Sequence, residues 1–285
     1  MKSLAVLNSV VITPQNLSVD DLLKNKGELR FAFHEQFSFN DINDQFYIES
    51  YEWVFSNLYD TLHQIDDNYK ITVLLQGLSE SNDEQSILIR RAYKLLECNH
   101  SLEFHYQSIL DADLYDINRL IDNEQPSLYL IITDNVQSTD SSAFMSALLL
   151  ANELLYTKIP SLRVKSYILR PMKTNWDELP KAISQMHEIQ PAFSHIKRLW
   201  YSQLNEKAVT DLKILFFEYG ITLSEMDYPA TFSLDNYFGY PNKALSYWLL
   251  LALTTQAATK LHQTQLVATT VLDKILFNVI SPPNY

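Results

Sequence analysis

The residues that could do chemistry begin with Gly77-Leu78-Ser79-Glu80-Ser81, which follows an apolar strand pattern and precedes a helical one. A nucleophile elbow reads G-x-S-x-G on a strained strand–turn–helix junction, so Ser79 stands where a hydrolytic or acyl-transferring serine would stand. Its acid and base would follow in the chain, where His187, His195 and His262 are available. The second glycine of the elbow is missing, and Ser81 occupies its place. Ser81-Asn82-Asp83-Glu84 also reads S-x-x-E immediately before the helix, which is a capping box. The capping box is therefore the preferred reading, with Asp83 and Glu84 placed to favour the positive helix end.

Other candidates are weaker. Cys98, the single cysteine, falls at the end of a predicted helix and excludes an intramolecular disulfide. Asp111, Asp113, Asp116 and Asp122 form an acidic cluster. It lacks the glycine and glutamate that a calcium loop needs, so helix capping by Asp111 or Asp113 explains it better. The histidines show no metal-ligand spacing, and no metal is expected. Asp134 ends the strongest strand pattern, SLYLIITDN, where open α/β sheets build sites. The competing reading is a turn at Asp134-Asn135, with Ser138 or Asp140 capping a following helix.

The elements that must position these residues alternate. Strands are expected at Ser3–Thr13, Tyr69–Gln76, Leu102–Ser108, Ser127–Asn135, Leu162–Leu169 (nearer an edge), Gln265–Thr270 and Ile275–Ile280. Helices are expected at Gln45–Ile65, Asn82–Cys98, Asp113–Asn123, Ser141–Thr157, Trp176–Glu188, Glu206–Tyr219 and Ala244–His262. This order predicts a layered α/β fold, a mostly parallel sheet flanked by helices. An N-terminal α/β half over residues 1–190 and a C-terminal part over 191–285 are expected, with no exact sequence repeat. Ala147–Leu155 and Tyr247–Ala258 are too short for a membrane span and read as buried core helices. The first residues read as a strand rather than a signal peptide, so a cytoplasmic location is expected, or a periplasmic one if an upstream signal or anchor has been removed.

Composition narrows the function. The 285 residues are 47% hydrophobic and carry a net charge of −12, enough apolar content for a full core and the wrong sign for general nucleic-acid binding. Only four glycines are present where average usage predicts roughly twenty. None lies in a phosphate- or dinucleotide-loop pattern, so no nucleotide cofactor is expected. Aromatic residues are plentiful, and Trp200, Tyr201, Tyr228, Tyr237, Phe238 and Tyr240 fall outside apolar periodicity. Such residues are common anchors at protein interfaces.

The C-terminal third reads IKRLWYSQLNEKAVTDLKILFFEYG and then SLDNYFGYPNKALSYWLLLALTTQAATKLHQTQLVATTV. A Trp before a short helix, then L-D-x-x-x-G opening an Ala/Leu-rich helix and a strand, resembles the second half of thiolase-like, ketoacyl-synthase-like proteins. Among these it most resembles the degenerate accessory proteins found with bacterial type VI secretion lipases. The resemblance covers roughly the last ninety residues. It implies a thiolase-like fold of two halves. An active member would need a cysteine after a buried strand at a helix N-terminus, and Cys98 is at the wrong helix end. The resemblance therefore implies a pseudoenzyme, a non-catalytic adaptor or chaperone that holds a toxin effector, a secretion spike protein, or both. Trp200, Tyr201, Asp235, Tyr237, Phe238 and Tyr240 are the expected partner-binding residues. The alternative is an α/β hydrolase or acyl-transfer enzyme using Ser79.

Overall fold

The computed structural model describes residues 2–23, 32, 35–77, 82–97, 99–108, 117–224, 230–271 and 273–283. The chain opens with β1 (Leu4–Ile12), α1 (Val19–Leu23) and α2 (Asp44–Leu62). Asn43 caps α2 by accepting from the Phe46 amide at 3.0 Å. Then come β2 (Ile71–Gly77), α3 (Asn82–Leu95), β3 (Leu102–Ser108), α4 (Ile117–Asp122), β4 (Leu128–Asp134), β5 (Met145–Asn152) and α5 (Glu153–Tyr156). A second run follows: β6 (Ser166–Ile168), β7 (Met172–Thr174), α6 (Leu179–Ile189), β8 (Ile196–Tyr201), α7 (Glu206–Glu218), β9 (Thr231–Ser233), α8 (Leu234–Phe238), α9 (Ser246–Leu261), β10 (Thr264–Val271) and β11 (Lys274–Ser281).

All the described strands join one sheet in the order β3-β2-β4-β5-β1-β6-β11-β10-β8-β9, with β7 paired to β11. Read outward from the β1–β6 contact, the two sides repeat one topology. On one side the order is β1, β5, β4, β2, β3; on the other it is β6, β11, β10, β8, β9. The pairing sense matches step for step. The first two steps are antiparallel on each side and the last two are parallel. No exact repeat is legible in the sequence, because the topology is kept by burial pattern rather than by residue identity.

The layered α/β expectation holds, with one correction to the sheet. Parallel pairing is confined to the two outer ends, and the centre is antiparallel. On one side the cause is a second correction: the expected helix over Ser141–Thr157 is the strand β5, which pairs antiparallel with β1 and β4 and is followed by the single turn α5. All eight β5 side chains are buried, since β1 and β4 pair its two edges and apolar layers cover both faces. A continuous apolar run of this length cannot separate a buried helix from a buried strand. The expected edge strand over Leu162–Leu169 contracts to β6, which sits at the centre and pairs with β1 and β11. The expected helix from Trp176 begins as a 3-10 turn, Trp176–Glu178, before α6.

Strand alternation divides the core into three layers. Ala5, Leu7, Leu128, Leu130 and Ile132 face α2 and α3. Leu199, Leu266, Ala268, Phe277 and Val279 face α6 and α7. Leu4, Val6, Tyr129, Ile131, Trp200, Val267 and Ile280 face an inner layer built on α9. That helix is apolar all round, as an internal helix must be, and it packs on strands of both runs. No helix among the described residues is long and apolar enough to cross a membrane.

Candidate functional site

The strongest polar feature sits where β2 and β4 end together. Gly77 pairs in register with Asp134, and a Cβ on Gly77 would lie 2.8 Å from the Asp134 carbonyl oxygen. Close approach of β4 therefore accounts for this glycine without a nucleophile elbow. Ser79 and the Ser81 cap lie outside the described residues, as do Cys98, Asp111, Asp113, Asp116 and Tyr228.

Asp134 is 4% exposed and points toward α2 and α3. Its Oδ1 accepts from the Val136 amide at 2.9 Å, the expected turn, and its Oδ2 accepts from Gln85 Nε2. Burial pushes the carboxyl up to about 6, against the opposing pull of these two hydrogen bonds. The Tyr51 hydroxyl is buried beside Gln85 and, among the described residues, no group stands in good hydrogen-bonding geometry to it. Tyr47 stacks on Tyr51 at 6.1 Å, and burial together with the nearby Asp134 raises its pKa. Asn135 organises the next loop, its amide donating to Ser142 O at 2.8 Å and Ser141 Oγ at 3.1 Å. Ser138 accepts from the Ser141 amide at 3.1 Å, so it closes a turn before a strand and not, as expected, the cap of a helix.

A second polar cluster lies at the ends of the parallel strands β8 and β9. Asp235 opens α8; its Oδ1 accepts from Ser202 Oγ at 2.7 Å and its Oδ2 from the Gln203 amide at 2.8 Å. Burial raises its pKa, and those two bonds oppose the rise. Gln203 has φ +60, a left-handed conformation uncommon outside glycine, and the Asp235 contact holds it there. Its side chain donates to Ser246 Oγ at 3.1 Å. Tyr201 is half-buried next to Ser233.

Trp200 and Phe238, expected at an interface, are corrected: both are fully buried. Trp200 faces the α9 layer, packs on Phe232 at 4.6 Å and donates to Gln265 Oε1 at 3.0 Å. Phe238 meets Phe144 edge-on at 5.9 Å. They escape apolar periodicity because a strand end and a five-residue helix are too short to show one. Tyr237 is partly exposed and stacks on Phe232 at 4.7 Å. Tyr240 is 46% exposed and sits on a seam between the two runs. Its amide donates to Glu35 O at 3.1 Å, and its carbonyl accepts from the Ser142 amide at 2.6 Å. Gly239, with φ +75, packs so tightly on the Glu35 carbonyl that no side chain fits. The structure thus gathers Tyr201, Asp235 and Tyr237 at the ends of β8 and β9, sets Tyr240 on the seam, and withdraws Trp200 and Phe238 into the core.

The three candidate histidines downstream of Ser79 lie on three separate elements. His187 lies on α6 against Tyr219, His195 ends a 3-10 turn, and His262 closes α9 at φ +50. Asp122 is held by Arg170, which keeps its carboxyl below the usual range. Among the described residues no group of three His, Cys, Asp or Glu side chains could hold a metal.

Sequence reasoning missed the exposed apolar residues of the outer helices. Phe217, 82% exposed, and Ile214 lie off the α7 face formed by Ala208, Val209, Leu212 and Phe216. That signal was present in the helical spacing. It also missed the cavity of about 290 Å³ between α2 and α3, lined by Asp44, Tyr47, Glu84, Gln85, Ile87 and Leu88 together with Gln137.

No family model and no curated relative matches the sequence. Solved structures do match in fold. A chain of the complex described as the type II PKS acyl-carrier protein with its ketosynthase bound to the hexaketide (AntDE:AntF) aligns with a TM-score of 0.62 at 10% identity, covering 99% of each chain. The module 6 ketosynthase of the Bacillus subtilis bacillaene synthase aligns with a TM-score of 0.62 at 11% identity, covering 99% of this chain and 71% of that one. The 3-oxoacyl-[acyl-carrier-protein] synthase III of Aquifex aeolicus aligns with a TM-score of 0.52 at 12% identity, covering 98% of this chain and 99% of that one. The fold is thiolase-like over the whole chain, beyond the C-terminal third that carried the resemblance in sequence.

Proposed function

We propose that this chain is a non-catalytic protein-binding adaptor or chaperone on a thiolase-like scaffold, one that presents a toxin effector to a type VI secretion apparatus. The observation that carries the reading is the placement of its single thiol. Cys98 lies between α3 and β3, before a strand, and every strand-to-helix connection of the chain lacks cysteine. A thiolate nucleophile of the kind the fold's enzymes imply needs the opposite placement, a helix N-terminus after a strand.

Other features agree. Asp134 and Asp235, the carboxylates at the strand ends, are engaged as acceptors of backbone and side-chain hydrogen bonds. Tyr240 at the seam and Tyr237 and Tyr201 at the ends of β8 and β9 leave aromatic surface, and aromatic anchors surrounded by polar groups suit protein recognition. The net charge of −12 suits a basic partner surface. The type VI assignment rests on the sequence resemblance of the C-terminal third.

The test is co-purification and calorimetry of the chain with the effector and the spike protein encoded beside it. A stoichiometric complex weakened by Tyr240→Ala is expected. Failure of both proteins to form a stable complex overturns the adaptor reading. Stoichiometric labelling of Ser79 by a fluorophosphonate, abolished in Ser79→Ala, overturns the non-catalytic part.

A further inference from the structure

We propose that the cavity between α2 and α3, backed by Asp134, is a binding site for an organic cation, an alkylammonium or guanidinium group on an aliphatic stem. The cavity measures about 290 Å³, just below the usual range of roughly 300–1,000 Å³ for small-molecule sites. It therefore suits one long side chain or a small amine rather than a cofactor.

Its chemistry is divided along its depth. Ile87 and Leu88 supply apolar wall, and the Tyr47 ring, stacked on Tyr51, supplies an aromatic face. A methylene stem packs on the first, and a cation is attracted to the second. Asp44 and Glu84 place two carboxylates at the solvent side, and among the described residues lining the cavity there is no Lys, Arg or His. Behind Tyr47 and Gln85 lies the buried Asp134 carboxylate, tied to Gln85.

One feature goes beyond a group of acids. Among the described residues the fully buried Tyr51 hydroxyl has no partner in good hydrogen-bonding geometry, and the Gln85 side chain is near enough to approach one. Such an orphan is costly and calls for a reason. A bound cation supplies one. An ammonium or guanidinium N–H displaces the Gln85 amide from Asp134 Oδ2, forming a stronger charge-assisted bond. The released Gln85 amide then donates to the Tyr51 oxygen.

This inference is independent of the adaptor reading, because its probes are small molecules. Nα-acetyl-lysine methylamide, Nα-acetyl-arginine methylamide and n-butylamine are titrated at pH 7.5 by NMR, with Nα-acetyl-norleucine methylamide as the uncharged counterpart. The lysine or arginine probe is expected to bind at least tenfold more tightly than the norleucine probe, with shifts at Tyr47 and Gln85. Asp134→Asn is expected to remove that preference. A blocked amino acid that outbinds butylamine assigns the cation to a protein side chain; the reverse order assigns it to a free amine, and either outcome upholds the site. Equal binding of charged and uncharged probes overturns the proposal, as does an undiminished preference in folded Asp134→Asn. If that variant does not fold, Glu84→Gln at the exposed rim takes its place: about a threefold loss supports the site, and no loss refutes it.

Discussion

Replacing Asp134 by Asn should make the protein more stable at neutral and higher pH, and not in acid. The carboxyl titrates at about 6 in the folded chain against 3.8 for an unperturbed aspartate, because burial disfavours the charged form. Between those two values the folded state holds more protons than the unfolded state, so stability falls as pH rises. The contribution of the protonated carboxyl is complete below pH 3.8 and is lost as pH climbs through about 6. At about 1.4 kcal/mol for each tenfold change in proton affinity, the loss amounts to about 3 kcal/mol. Asp134 is buried, so solvent screening takes little from this figure. Asn keeps the Oδ1 acceptor for the Val136 amide, and Gln85 can turn its amide to present oxygen to the new NH₂. Urea unfolding of both proteins at pH 8 and pH 4 reads the difference. The variant should be more stable by up to about 3 kcal/mol at pH 8 and nearly equal to the parent at pH 4. Other carboxylates cancel, because they are common to both proteins. A pH-independent difference, or a variant less stable at pH 8, would refute the reasoning. A carboxylate kept at such a cost is what a binding site looks like when natural sequences sacrifice stability for function.

The other predictions concern the seam and the core. Gly239→Ala should cost about 2–4 kcal/mol, combining a left-handed backbone with overpacking on the Glu35 carbonyl, and thermal unfolding would show a lowered midpoint. Trp200→Phe should lose about 1–2 kcal/mol with the Gln265 bond while leaving partner affinity unchanged by calorimetry, which separates it from Tyr240→Ala. Asp235→Asn should weaken the hold on the Gln203 amide and its left-handed backbone, seen as faster hydrogen exchange at Gln203 with the fold retained. Phe217→Ser should leave stability nearly unchanged, since that ring is mostly in water already.

Helices with one apolar face were legible in the sequence. α2, α3 and α7 lie within a few residues of their expected limits, because the spacing of apolar residues and the caps act locally. β2, β3, β4, β10 and β11 were legible for a similar reason, as short apolar or alternating runs between breakers. β5 was not, because a segment buried on every side shows no period from which to choose helix or strand. The aromatic residues near the C-terminus divided the same way. Their types marked an unusual stretch, but their spacing could not say which rings turn inward. Asp134 was found as a strand-end carboxylate, while its companions Tyr47, Tyr51 and Gln85 were not. They come from α2 and α3, more than forty residues away in the chain.

By itself the sequence determined the layered α/β class, the net negative charge, the lack of glycine-rich phosphate loops and the single cysteine with its position in the chain. Those properties follow from residue types and near-neighbour spacing, which act before any distant contact forms. Only the tertiary structure decided the twofold repeat of strand order, the antiparallel centre of the sheet, the burial of Trp200 and Phe238 and the cavity between α2 and α3. Each of these depends on which strands pair and which faces are covered, and that choice is made by long-range packing of segments whose local patterns permit more than one answer.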